Sequence, residues 1–91
     1  MGVSTIALGY ASTAMGNTTI ASGESSTAMG SRTFANGTNA TAIGFHTTAV
    51  GNSTAMGFYT QANGQTSTAM GDHTQANGSY SIAMGGSSIA N

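Results

Sequence analysis

Asp72-His73 is the only neighbouring acid–histidine pair in this 91-residue chain, and with Glu24 and His46 it exhausts the carboxylates and imidazoles. A carboxylate beside an imidazole is the elementary unit of general acid–base catalysis, and two histidines with further donors begin a metal site. Both uses demand a pocket and supporting groups. Asp72 and His73 directly follow Gly71, where the chain is expected to turn through solvent, and His46 lies two repeats away with no other ligand in reach. With no cysteine there is no thiolate nucleophile, no soft metal ligand and no disulfide. The residues read as non-enzymatic, with no metal and no cofactor.

Composition narrows the partners. Glu24, Arg32 and Asp72 carry the only full charges, for a formal net charge of −1. One arginine and no lysine do not make the basic footprint of a nucleic-acid binder. No apolar run approaches the roughly 20 residues needed to span a bilayer, and the N-terminal residues show no basic segment followed by an apolar one. The expectation is no nucleic acid, no membrane insertion by this segment and no signal peptide within it. A chain rich in Gly, Ser and Thr with few bulky residues has the look of disorder, but disorder normally carries high net charge.

Periodicity decides against disorder. Gly9, Gly16, Gly23, Gly30, Gly37, Gly44, Gly51, Gly57, Gly64, Gly71, Gly78 and Gly85 recur every seven residues, with one six-residue step before Gly57. The residue before each glycine alternates, as in Ala14-Met15-Gly16, Ala21-Ser22-Gly23, Ala28-Met29-Gly30 and Ala35-Asn36-Gly37, so the repeat is fourteen residues built from two unlike sevens. Such a period marks a solenoid whose coils bury their faces by stacking. A turn at each glycine leaves four-residue strands between turns. The whole of residues 1–91 is then one all-β repeat domain: a flat parallel β-roll of about six 14-residue coils, roughly 30 Å long at ~4.8 Å per coil.

Alternation along a strand sends first and third positions to one face and second and fourth to the other. First positions hold Ser, Thr or Ala and third positions hold only Ala, a set small enough for a narrow interior. Second and fourth positions then face outward; the alternative reading turns the Met and Ile residues inward and the Ala column toward solvent. One wall carries the fourth-position column Met15, Met29, Ile43, Met56, Met70 and Met84, a continuous apolar strip of the kind that marks an interface. Self-association into a closed cyclic oligomer buries every copy of it. The other wall carries Asn36, Asn63, Asn77 and Asn91, which are placed to bond amide to amide from coil to coil; Phe34 has no evident reason on that wall.

Turn residues after the Met-type sevens line one edge. They gather Arg32, Phe45, His46, Phe58, Tyr59 and His73, and exposed aromatics beside Arg and His suit a recognition edge. The opposite edge contains the shortened turn at Asn52. Because Ser53-Thr54-Ala55-Met56-Gly57 resumes in phase, the missing residue is expected to tighten one corner and leave the strands in register.

The alternation of Ser-Thr-Ala-Met-Gly with Thr-Gln-Ala-Asn-Gly, as in Ser67 to Gly71 followed by Thr74 to Gly78, resembles the head repeats of YadA-type trimeric autotransporter adhesins. The resemblance runs from Ser4 to Asn91. It implies a left-handed parallel β-roll, three chains in a trimeric head, a place outside the cell on the bacterial surface, and attachment to extracellular matrix or a cell-surface protein. Thr and Met stand where the family's Ser-Val-Ala-Ile-Gly half has Val and Ile, at Thr13/Met15, Thr27/Met29, Thr54/Met56 and Thr68/Met70. Those departures weaken a transfer of the collagen binding that the best-known members show.

Two other functions compete. The repeat runs to Asn91 with no polar cap, which fits a fibre subunit that stacks end to end, or a segment of a longer chain. Regular threonine columns, Thr13 to Thr68 and Thr19 to Thr74, have a spacing suited to ordering water on ice; the first is interleaved with Met and the second lies on the inward face.

Overall fold

Each fourteen-residue repeat folds as two unlike strands. In the computed structural model, which describes residues 2–91, the Met-type seven forms a five-residue strand and its partner seven a two-residue strand. Met1, the first residue of the domain read from the sequence, lies outside the described residues. The long strands are β1 Gly2–Val3 (a stub), β3 Thr13–Asn17, β5 Thr27–Ser31, β7 Thr41–Phe45, β9 Thr54–Phe58, β11 Thr68–Asp72 and β13 Ile82–Gly86. The short ones are β2 Ile6–Ala7, β4 Ile20–Ala21, β6 Phe34–Ala35, β8 Thr48–Ala49, β10 Gln61–Ala62, β12 Gln75–Ala76 and β14 Ile89–Ala90. Each set makes one seven-stranded parallel sheet in chain order, and every strand pairs with its own copy one coil away. The result is a parallel β-solenoid of about six 14-residue turns, with Cα extents of 32 × 20 × 10 Å, close to the length expected from the repeat.

The inward face is the small one, as strand alternation predicts. Ala14, Ala28, Ala42, Ala55, Ala69 and Ala83 from the long strands meet Ala21, Ala35, Ala49, Ala62 and Ala76 from the short ones, all buried. First-position Ser26, Ser53, Ser67, Thr19, Thr33, Thr47, Thr60 and Thr74 complete the filling. A methyl group buries little apolar surface, so this core contributes far less per residue than one of Leu or Phe. Cohesion comes from the continuous backbone ladder and from close contact of the two walls.

The two kinds of first-position hydroxyl differ. Ser26, Ser67 and Ser81 donate to the glycine carbonyl three residues back at 2.6 to 2.7 Å, whereas Thr19, Thr33, Thr47, Thr60 and Thr74 have no hydrogen-bond partner for Oγ1. A buried hydroxyl without a partner costs free energy that an isosteric methyl does not. Thr47→Val should therefore raise stability by about 1 kcal/mol, a Tm increase of roughly 4–8 °C for a domain of this size. Ser67→Ala should lower it by about as much. Thermal unfolding followed by circular dichroism checks both, and a drop for Thr47→Val would contradict the unpaired hydroxyl.

The corners differ from the sequence expectation. Gly16, Gly30, Gly44, Gly57 and Gly71 lie inside the long strands, with φ between 117° and 131°, and the chain reverses two residues later at a non-glycine residue in the left-handed region. Thr18, Arg32, His46, Tyr59 and His73 do so on one edge, and Ala11, Ser25, Asn39, Thr66 and Tyr80 on the other, all with φ of 55° to 62°. Such a conformation costs an L-residue roughly 1–2 kcal/mol. The bond it permits offsets the strain: each corner N–H on the first edge donates along the stack, as Arg32 to Asn17 O at 2.9 Å, His46 to Ser31 O at 3.0 Å and Tyr59 to Phe45 O at 2.8 Å.

The shortened turn is a local defect. Register is kept from Thr41↔Thr54 through Phe45↔Phe58 and from Thr48↔Gln61 through Ala49↔Ala62. Gly51 takes up the missing residue with φ 76°. On this second edge Ser25, Asn39 and Tyr80 donate to Tyr10, Glu24 and Gln65 carbonyls, but Asn52 and Thr66 make no such bond.

Candidate recognition edge and apolar wall

The first edge is built by the period itself. Residues one coil apart stand one strand spacing apart, so side chains of like corners stack. His46 stacks on Tyr59 with ring centroids 4.6 Å apart and planes 11° from parallel, and Tyr59 on His73 at 4.9 Å and 19°. Beside them, at the strand ends, Phe45 stacks on Phe58 at 5.3 Å and 13°. The two columns lock edge to face through Phe58–Tyr59, 4.5 Å apart at 72°. Arg32 extends the corner column: its Nη1 lies 3.2 Å from His46 Nε2. With guanidinium the donor, His46 accepts at Nε2 and carries its proton on Nδ1. At the other end His73 Nδ1 meets Asp72 Oδ1.

All six residues read from the sequence as a recognition edge therefore lie together, and Asp72 joins them. The Arg32–His46 contact is the one that reasoning from neighbours in sequence misses; its signal is the fourteen-residue spacing. Rings stacked face to face cover one another's faces, so the column presents ring edges and polar atoms outward. It is already ordered, so a partner meeting it would restrict few rotamers. The turn gives Asp72–His73 no enclosure, with side chains 66% and 59% exposed. The described residues enclose no cavity or cleft, and among them no group of three or more His, Cys, Asp or Glu side chains is placed to hold a metal ion.

Met15, Met29, Ile43, Met56, Met70 and Met84 lie in register on the outer face of the long-strand sheet. Each shields the next, so the middle four are half-buried, while Met84 at the end is 58% exposed. The structure brings this column together as a flat apolar strip beside Thr13, Thr27, Thr41, Thr54 and Thr68. Thr19, Thr33, Thr47, Thr60 and Thr74 are wholly buried, which removes that column from any contact with ice.

The short-strand wall is polar toward its C-terminal end. Asn63 Nδ2 donates to Asn77 Oδ1 at 2.8 Å, Asn77 Nδ2 reaches Asn91 Oδ1 at 3.5 Å, and Ser22 Oγ donates to Asn36 Oδ1 at 3.0 Å. The expected amide ladder is thus present in part. Phe34 finds its place between Ile20 and Thr48 in the second-position column, so Ile6, Ile20 and Phe34 form a short apolar run.

The family model for the YadA head domain repeat, which spans two copies, matches residues 2–21, 7–33, 21–47, 35–60, 51–74 and 62–88. These overlapping matches span residues 2–88. No curated protein and no solved structure matches the chain significantly.

Proposed function

Because the chain belongs to the YadA head-repeat family, we propose that its Met wall joins three copies and that its aromatic edge meets the surface to which the bearer attaches. The family is a non-enzymatic adhesin module; its heads are trimeric and are displayed on bacterial surfaces. The observation that carries the proposal is the in-register column from Met15 to Met84. Three flat walls closed around a common axis bury every side chain of that column, and a cyclic arrangement leaves none over. Closure leaves three copies of the Arg32–His73 edge, so contacts weak singly add through multivalency. The ligand class that follows is an extracellular matrix or cell-surface protein.

Sedimentation of the whole chain should give a discrete trimer; a filament would instead favour the end-stacking fibre. Met56→Asp combined with Met70→Asp should give monomers, since buried unpaired carboxylates cost several kcal/mol each. Beads coated with the wild-type protein should be retained on matrix-protein surfaces, and Phe58→Ser with Tyr59→Ser should reduce retention several-fold without changing the trimer. A stable wild-type monomer removes the wall from the proposal. Full retention by the edge variant removes the edge.

A further inference from the structure

We infer that Asn36 is a site of spontaneous covalent modification, singled out from two equivalent sites by the short turn beneath it. Asn36-Gly37, Asn63-Gly64 and Asn77-Gly78 occupy the same place in three coils. Glycine after asparagine leaves the backbone nitrogen free of the steric hindrance that a Cβ would impose on attack at the side-chain amide. The hydrogen bond on that nitrogen then decides. Gly64 N–H donates to Ala76 O at 3.1 Å and Gly78 N–H to Ala90 O at 3.2 Å, which ties up the attacking atom. Gly37 N–H makes no such bond, although Asn36 N–H just before it still reaches Ala49 O at 2.9 Å. The cause is Gly51, whose altered backbone, with φ 76°, lies directly against Gly37 in the coil that lost a residue.

The side chain differs too. Asn63 Nδ2 is held by Asn77 Oδ1, whereas Asn36 Nδ2 has no partner and Asn36 Oδ1 accepts from Ser22 Oγ, which draws electron density from the amide carbon. The Gly37 nitrogen gives up its proton and attacks Asn36 Cγ. The new C–N bond closes a five-membered succinimide, the Cγ–Nδ2 bond breaks and ammonia leaves. Water then opens the ring at either carbonyl, leaving aspartate or isoaspartate at position 36. Water enters, ammonia departs and no oxidant is needed. The chain of formal net charge −1 gains one negative charge, and the isoaspartate form adds a methylene to the main chain at the edge of the defect.

The purified whole protein, incubated at physiological temperature and mildly alkaline pH, is digested and the three asparagines are quantified by mass spectrometry, folded and in guanidinium. The ~1 kcal/mol net worth of a backbone hydrogen bond corresponds to a factor of about five, so folded Asn36 should convert about fivefold faster than Asn63 or Asn77. In denaturant the three rates should converge. Equal rates in the folded protein would overturn the inference, and so would an Asn36 lead that survives unfolding, because selectivity would then come from local sequence.

Discussion

Gly44→Ala should unfold the roll or leave it marginal, at a cost above about 3 kcal/mol against the 5–15 kcal/mol that typically holds a domain together. A Cβ on Gly44 would lie 2.0 Å from Gly57 O and 3.0 Å from Gly57 C and N. All three are backbone atoms of the next coil, so nothing can swing aside; the two long strands would have to part. The φ of +131° adds strain for any L side chain. Two further variants separate these causes. Gly85→Ala keeps a φ of +108° but meets nothing within 4 Å, so it should show conformational strain alone, on the order of 1–3 kcal/mol. Gly86→Ala has neither the clash nor a positive φ and should change stability by less than about 0.5 kcal/mol. Urea unfolding of the three should rank them in that order, and a Gly44→Ala protein as stable as Gly86→Ala would mean that the walls do not need this close approach.

Ala62→Leu should be the other severe change. Ala62 is fully buried on β10, stacked between Ala49 and Ala76, and the side chains across the interior are Ala, Ser and Thr. Overpacking an ordinary core typically costs 1–3 kcal/mol because neighbours repack. Here there are no flexible neighbours and no void, and the only relief is separation of two hydrogen-bonded sheets. A loss at or above about 3 kcal/mol is expected. Gln61→Leu places the same side chain one residue earlier, on the exposed face of the same strand, and should stay within about 0.5 kcal/mol. Equal tolerance at both positions would contradict the inside–outside assignment.

Much of the site was legible because a parallel solenoid converts sequence period into spatial neighbourhood. Met15 to Met84 could be placed on one wall, and Phe45, His46, Phe58, Tyr59 and His73 on one edge, by counting in fourteens. The corner conformation was not legible. Glycine permits a turn wherever it occurs, and nothing in Gly71-Asp72-His73 alone says that His73, and not Gly71, reverses the chain. Phe34 illustrates a smaller gap: taken alone it interrupts a polar wall, while in the ladder it continues Ile6 and Ile20.

What the sequence by itself determined was the repeat and the two unlike walls. Strand alternation separates the small residues from the bulky ones but leaves two assignments, and the burial of the Ala, Ser and Thr columns in the fold places the small set between the sheets. Tertiary structure decided how neighbouring coils touch: the left-handed corners, the Arg32–His46 contact, the stacking of Tyr59 between two histidines and the unpaired amide of Gly37. Those depend on backbone angles and on atoms thirteen or fourteen residues distant along the chain, so they exist only once one coil has settled on the next.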